Sequence, residues 1–313
     1  MNAVAAPASR RLVGPIRHGD RALATLSAAS VVIILAMLVI VLGDVVRGGA
    51  GTLSWEFISA SPTQGMTAGG VFPAIFGTVA MTLLMTVAAV PAGVATAIYL
   101  TEFASPQSRV ARLIRVCVAN LAGVPSIVFG LFGLGFFIAT VGKGIDSAFF
   151  PGQSVYAKPC LIWSSLTLAI LTLPVVVVAT EEAILSVPRE LREASLALGA
   201  TQMQTILRVV LPEALGGILT GTILAVSRGA GEVAPILFTG VAYYLPYLPT
   251  HLNDQFMNLG YHVYVLATQS PDVDRTKPQL YGTALVLLFL TFLLNLVAIS
   301  IRSRSRKHSR ASA

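Results

Sequence analysis

The sequence predicts an all-α integral membrane protein with six transmembrane helices. Of its 313 residues, 55% are hydrophobic and only 11% are charged, and its mean hydropathy is +0.79. So few polar groups cannot cover the surface of a water-soluble protein, so we expect the chain to lie in lipid. The apolar residues form runs of about 20, the length of helix that crosses a hydrocarbon core roughly 30 Å thick. The alternating segments of about ten residues that form membrane β-barrels are missing.

The six predicted spans are residues 22–43, 71–100, 114–141, 161–180, 215–238 and 280–301. The first follows four arginines, as the apolar core of a signal peptide would, but its run of about 22 residues is longer than that core. We therefore predict a retained anchor. Cys117 and Cys160 lie in or beside spans without metal-ligand spacing, and we expect both to be buried small hydrophobic residues.

Basic residues predict the orientation of the spans. Of the 21 Lys and Arg residues, 15 fall in the two tails and in the loops on their side of the membrane, and five fall on the other side. This asymmetry places both termini in the cytoplasm of a multi-pass inner-membrane protein. We divide the chain into residues 1–70 (cytoplasmic tail, first span and outer loop), 71–301 (transmembrane domain) and 302–313 (basic tail). The basic tail suits contact with anionic lipid, and nucleic-acid binding is a weaker alternative.

Motifs for catalysis or ATP binding are missing from the sequence. The nearest string to a phosphate-binding glycine loop, Gly142-Lys143-Gly144, lacks the hydroxyl residue that should follow the lysine. The four histidines, at 18, 251, 262 and 308, all fall in predicted tails or loops without catalytic spacing. We therefore expect no enzyme activity, no catalytic residue, no metal site and no cofactor in this chain.

The loop between the fourth and fifth spans is periodic enough to form two short helices. The first runs from 189 to 198, with Leu191, Ala194, Ser195 and Leu198 on one face and Arg192 and Glu193 pointing elsewhere. Gly199 should end it as a C′ glycine. Thr201 to Gln204 has the form of a capping box and should begin a second helix, which breaks at Leu211-Pro212.

The same loop carries a family motif. Glu193-Ala194-Ser195, three residues, Gly199, nine residues and Val209-Val210-Leu211-Pro212 resemble the E-A-A, x3, G, x9, I-x-L-P loop of type I ABC importer permeases, with Ser195 and Val209 as small departures. The resemblance implies a six-helix permease fold whose coupling helix binds a separate ATPase. It assigns ATPase contact to Arg192, Glu193, Ala194, Ser195 and Gly199. A pair of helices that merely lies on the membrane surface is the alternative.

A narrower resemblance covers most of residues 69–301. The segments that carry it include Ala97 to Glu102, Ala122 to Gly133, Thr180 to Ala183, Gly217 to Gly221 and Gly231 to Pro235. They are similar to the phosphate-specific permeases of the PstA family. That resemblance implies partners: a PstC-like second permease, two PstB-like ATPase subunits that bind the ATP, and an external PstS-like phosphate-binding protein. Some relatives carry an arginine near Val178, which this chain lacks.

Two charges lie inside the fifth predicted span. Arg228 is 13 residues past Leu215, roughly 20 Å along a helix, and therefore near the midplane. Such a charge is costly in lipid and should face partners or water. Glu232 follows at i+4, so we expect it on the same helix face and able to pair with Arg228. The pair either locks two spans together or offers a guanidinium to a passing oxyanion, and the resemblance favours the second role. Gly217 and Gly221, also four apart, should allow close helix packing.

These observations favour a permease subunit of an ATP-driven importer of inorganic phosphate. A permease for sulfate, molybdate or phosphonate is an alternative with the same coupling loop. An ion-coupled secondary carrier would need no ATPase, and the coupling loop argues against it. A scaffold for a sensing kinase, without transport, also stays open.

Overall fold

The structure, a computed structural model, describes residues 18–66, 68–105, 107–270 and 272–311. Within these residues, six helices are long and apolar enough to cross a membrane, which confirms the predicted number of spans. They are Ala22–Thr52, Phe72–Phe103, Ser126–Phe149, Leu161–Leu185, Gln202–Gly231 and Asp274–Ser303. The predicted tail before residue 18 lies outside the described residues.

The chain divides into two units, Met1–Arg47 and Gly48–Ala313. The described part of the first unit belongs to the helix α1 (His18–Gly49), whose last two residues are counted with the second unit. After α1 the second unit continues with a 3-10 turn at Ala50–Thr52, the helix α2 (Trp55–Ser59) and a small antiparallel hairpin. The hairpin pairs β1 (Pro62–Thr63) with β2 (Ala68–Gly69) around a 3-10 turn at Gln64–Met66.

The second span is one continuous helix whose last turn is wider than an α-helical turn. The helix α3 (Phe72–Ile98) runs directly into a π-helical turn at Tyr99–Phe103. The backbone N–H of Ala104 donates to the carbonyl of Tyr99, five residues earlier. Such turns are rare and often lie at functional sites.

The predicted third span starts too early, because its first residues belong to a separate helix. The helix α4 (Arg109–Gly123) ends where Val124 becomes extended, as expected of a residue before proline. A new helix then begins after Pro125 and consists of α5 (Ser126–Phe132), a π-helical segment at Gly133–Gly142 and α6 (Lys143–Phe149). Cys117, expected to be buried in a span, is exposed on α4, whereas Cys160 is buried as expected.

The fourth and fifth spans are joined by two short helices. The fourth span is α7 (Leu161–Leu185), the short helices are α8 (Arg189–Ala197) and α9 (Gln202–Thr205), and α10 (Leu211–Gly231) forms most of the fifth span. The predicted break at Leu211-Pro212 is wrong, because a π-helical turn at Ile206–Val210 joins α9 to α10. Leu211 N–H donates to the carbonyl of Ile206, and the wider turn accommodates Pro212, which has no N–H. The predicted end at 238 is also wrong, since α10 ends at Gly231 and only a 3-10 turn follows at Ala234–Leu237.

Close packing around α7 forms the centre of the second unit. This helix contacts both α3 and α10. A Cβ added at Gly221 of α10 would lie 2.5 Å from the Cβ of Ala179, and one at Gly217 would lie even closer to the Cβ of Ala183. On the other side, a Cβ added at Gly93 of α3 would lie 2.6 Å from Cγ1 of Val176. The predicted role of Gly217 and Gly221 in close packing is confirmed.

The segment after α10, which the sequence predicts to be a loop, contains a helix. The helix α11 (Leu259–Thr268) begins after Asn258, whose side chain accepts a hydrogen bond from Tyr261 N–H. His262 is therefore in a helix and not in a loop, and burial lowers its pKa to about 4. The last helix, α12 (Val273–Ala311), extends past both ends of the predicted span and includes most of the predicted basic tail.

Candidate functional site

The arginine predicted at membrane depth lies halfway along the bundle. Arg228 is in the last turn of α10, and its neighbour Gly229 packs so closely that an added Cβ would collide with Sδ of Met85. The same Cβ would lie 3.7 Å from Cγ2 of Thr172. Met85 and Thr172 are in the middle of α3 and α7. The helix that carries Arg228 therefore ends inside the bundle, at mid-span depth.

The ion pair between Arg228 and Glu232 forms, but not on one helix face as predicted. Because α10 ends at Gly231, Glu232 has an extended backbone with φ −78° and ψ 131°. Its Oε1 nevertheless lies 3.5 Å from Nε of Arg228. The carbonyl end of a helix carries a partial negative charge, which favours the guanidinium of Arg228 in the last turn of α10.

The Arg228 side chain keeps donors that the protein does not use. It is 42% exposed and the Glu232 side chain is 21% exposed. Among the described residues, the guanidinium makes no other hydrogen bond or ion pair. Arginine has five N–H donors in a planar fork, so four remain for a ligand or a partner subunit. A fully locked structural pair would be more deeply buried and better hydrogen-bonded.

The neighbouring residue on α10 is held by α12. Ser227 donates a short hydrogen bond from Oγ to Oδ1 of Asn295. This contact fixes the rotation of α10 about its axis one residue before Arg228. The sequence offered a hint, because Asn295 is a polar residue inside the sixth apolar run.

The short helix of the coupling loop has the predicted ends. Gly199 follows α8 with φ +85°, a conformation that glycine adopts without a Cβ penalty. Thr201 then accepts from the backbone N–H of Gln204, and the Gln204 side chain accepts from the backbone N–H of Thr201, so the predicted capping box is confirmed.

The exposed surface of α8 is rich in leucine. None of its residues is buried, and Leu191, Leu196 and Leu198 are 41%, 49% and 90% exposed. Glu193 and Ala194 are exposed on the same short helix. The predicted apolar face is correct in part, because Ser195 turns inward and shares a hydrogen bond of 2.9 Å with Thr205.

Arg192 points into the protein. It donates to the carboxylate of Glu102 and to two backbone carbonyls at the end of α7. A groove of about 340 Å³ borders this contact and is lined by Thr101, Glu102, Leu185, Arg189, Arg192 and Glu193. No sequence signal pairs Glu102 with Arg192, because 90 residues separate them.

Comparison with known proteins identifies relatives of this chain. Residues 89–308 match a family model described as the inner membrane component of binding-protein-dependent transport systems. The chain is 36% identical over 207 residues to the probable ABC transporter permease protein YqgI of Bacillus subtilis, a match that covers 66% of this chain and 65% of that protein.

Two further relatives are similar over longer segments. The chain is 38% identical over 236 residues to the phosphate transport system permease protein PstA 1 of Mycobacterium tuberculosis, covering 75% of this chain and 71% of the relative. It is 33% identical over 265 residues to the phosphate transport system permease protein PstA of Haemophilus influenzae, covering 85% and 87%.

A solved structure shares the fold. A chain of a bacterial alginate ABC transporter, crystallised with its alginate-bound periplasmic protein, superposes with a TM-score of 0.67 at 15% identity. The superposition covers 91% of this chain and 95% of that chain. At this identity the likeness concerns the fold alone.

Proposed function

The chain belongs to the family of inner membrane components of binding-protein-dependent transport systems, and from that premise we propose that it is the permease subunit of an ATP-driven importer of inorganic phosphate. It is a multi-pass membrane protein with the type I ABC importer permease fold. The choice of phosphate as the substrate rests on the 38% and 33% identity of the chain to two phosphate transport permeases.

The partners follow from this class of transporter. A permease of this family works with ATPase subunits and a substrate-binding protein, and ATP hydrolysis takes place in the separate ATPase subunits. For this chain we propose a PstC-like second permease, two PstB-like ATPase subunits and an extracytoplasmic PstS-like protein. ATP is then bound by a partner, and this chain needs no cofactor of its own.

The exposed leucines of α8 support ATPase contact at the coupling loop. Leu191 and Leu196 on α8 and Leu198 at its C-terminal cap expose apolar side chains, and α8 has no buried residue. Glu193 and Ala194 lie on that helix, and Gly199 sets the direction of the chain that follows. With α8 on the ATPase side, both termini are cytoplasmic, as the basic residues predict.

Arg228 is the proposed contact for the anion in the membrane. Its unused donors match the oxygens of phosphate in a planar, bidentate arrangement. Glu232 can accept a hydrogen bond from a phosphate ion that keeps a proton, whereas sulfate at neutral pH has no proton to donate. Because α10 ends at mid-depth, the backbone beside the pair is not helical. Non-helical backbone at membrane depth is tolerated where it is buried in protein or lines a water-filled cavity, which suits a transport pathway.

Transport by the reconstituted complex tests the proposal. The chain, its candidate partner permease, the ATPase and the binding protein are placed in proteoliposomes with ATP on the ATPase side. We expect uptake of radioactive phosphate that stops with a non-hydrolysable ATP analogue. Uptake of sulfate but not phosphate would contradict the substrate, and phosphate uptake without ATP would contradict the class of transporter.

A further inference from the structure

The Arg192 side chain makes an unusually complete set of contacts for a residue on an exposed helix. Its Nη2 lies 3.0 Å from Oε1 of Glu102 and 2.8 Å from the carbonyl of Ile184, and its Nη1 lies 2.6 Å from the carbonyl of Val187. Its Nε also donates to Oε1 of Glu102, at 3.3 Å. The two side chains are 19% and 13% exposed. One guanidinium therefore joins α8 to the ends of both α3 and α7.

Glu102 holds the coupling loop at a second point. Its backbone carbonyl accepts a hydrogen bond of 2.6 Å from Nε2 of Gln202, the first residue of α9. Arg192 and Gln202 lie on opposite sides of the turn at Gly199. Both halves of the loop are thus attached to one residue of the π-helical turn that continues α3.

The attachment lies in a part of α3 that differs from a regular helix. Glu102 belongs to the π-helical turn Tyr99–Phe103, and the other π-helical turn of the loop, Ile206–Val210, follows Thr205, the partner of Ser195. The contacts of α8 with Glu102 and Thr205 are therefore made at or beside π-helical turns, where backbone hydrogen bonding changes register.

The helix that receives this contact also reaches the proposed anion site. Met85 in the middle of α3 packs against Gly229, the residue after Arg228. The helix is continuous from Met85 to Glu102, with Pro91 inside it, and it gives an unbroken path from the coupling loop to the residue beside Arg228.

We propose that Arg192 is a positioning residue that transmits movement of α8 to α3 through Glu102, and thereby couples the ATPase to the Arg228 segment. The proposal rests on the proposed function, because it requires an ATPase that displaces α8. It also changes the role expected of Arg192, from a residue that touches the ATPase to one that connects two parts of the permease.

A double-mutant cycle in the reconstituted complex tests the link. The variants are Arg192→Gln, Glu102→Gln and the two together. The matched control is Arg109→Gln, which replaces an exposed arginine of α4 that makes no ion pair among the described residues. Each complex is measured for ATPase subunits retained per permease and for phosphate moved per ATP hydrolysed.

We expect each single variant to keep its ATPase subunits and to lower the ratio of phosphate moved to ATP hydrolysed several-fold, because both variants remove the charged pair between Arg192 and Glu102. The double variant should be no worse than the single ones, because the two residues act through each other. The control should keep the wild-type ratio.

A second measurement needs no substrate. Hydrogen exchange of the wild-type complex, with and without ATP, should change both in α8 and in residues 99–104. In Arg192→Gln the change in α8 should persist and the change in residues 99–104 should disappear. If the wild-type complex does not transport phosphate, the proposed substrate is refuted. The hydrogen-exchange comparison would still decide whether Arg192 transmits movement to Glu102.

Four results would overturn the role of Arg192. The first is that the losses of the single variants add in the double variant, and the second is that Arg192→Gln loses its ATPase subunits, which makes Arg192 a docking residue. The third is that the ratio of phosphate to ATP stays normal while only the amount of complex falls, and the fourth is that the ATP-dependent exchange at residues 99–104 survives in Arg192→Gln.

Discussion

The contact between α10 and α7 predicts a measurable cost for a single methyl group. At Gly221 an added Cβ would lie 2.5 Å from the Cβ of Ala179, whereas ordinary contacts of this kind are 3.4–4 Å. The helices must therefore move apart by about 1 Å, and overpacking of this size costs about 1 to 3 kcal/mol. We expect Gly221→Ala to lower the free energy of unfolding by that amount.

Two further variants test whether the loss comes from this contact between α10 and α7. Ala179→Gly should restore most of the loss in Gly221→Ala, because it removes the atom that clashes. Gly217→Ala combined with Gly221→Ala should cost less than the sum of the two, because one separation of the helices relieves both contacts. Gly43→Ala is the control, since a Cβ there meets no atom within 4 Å.

The assay is unfolding of the purified permease in mixed micelles by increasing amounts of SDS, followed by circular dichroism. A loss below about 0.5 kcal/mol in Gly221→Ala, with no effect of Ala179→Gly on it, would refute the close contact between the two helices. If the losses for Gly217→Ala and Gly221→Ala are strictly additive, one movement of α10 away from α7 does not relieve both contacts.

The remaining predictions concern the coupling loop, the topology and α11. Gly199→Pro, which cannot adopt φ +85°, and Glu193→Lys should each lower ATPase subunits bound per permease without loss of membrane insertion; normal amounts of bound ATPase would contradict docking at α8. A cysteine at Ser154 should react with an impermeant thiol reagent added outside cells and one at Ser305 should not; the opposite pattern would reverse the topology. The pKa of His262 is lowered from 6.5 to about 4, so between these pH values the imidazole takes up a proton only in the unfolded state. The free energy of unfolding should therefore fall by about 3 kcal/mol as the pH drops from 6.5 to 4. His262→Leu should remove this pH dependence in SDS unfolding, and an unchanged dependence would assign it to other groups.

The runs of about 20 apolar residues predicted the six spans, and short-range chemistry predicted the ends of α8 and the capping box of α9. Gly199 and Thr201 act through neighbours within four residues, which a sequence shows directly. The break of the third span was missed because residues 114–123 are apolar enough to extend a span, although Val124 and Pro125 separate them from it.

Features that depend on distant partners were not predictable. The apolar residues after Gly231 continue the pattern of a span, so hydropathy does not reveal that α10 ends at mid-depth. The inward direction of Arg192 depends on Glu102, and helical spacing gives the face of a residue but not what covers that face.

The central claim is that Arg228 contacts the passing anion. In the intact importer, Arg228→Lys keeps the charge but loses the planar fork, so phosphate uptake should fall. The decisive variant replaces both charges, as Arg228→Met with Glu232→Leu. A buried ion pair that serves only packing can be replaced by apolar residues at little cost, so a structural pair would recover uptake in this double variant.

The measurement is phosphate uptake by cells that depend on this importer, scored beside the amount of assembled complex. If Arg228 contacts the anion, the double variant should assemble normally and take up no phosphate. Normal uptake by the double variant would contradict the claim and leave Arg228 and Glu232 as a packing pair.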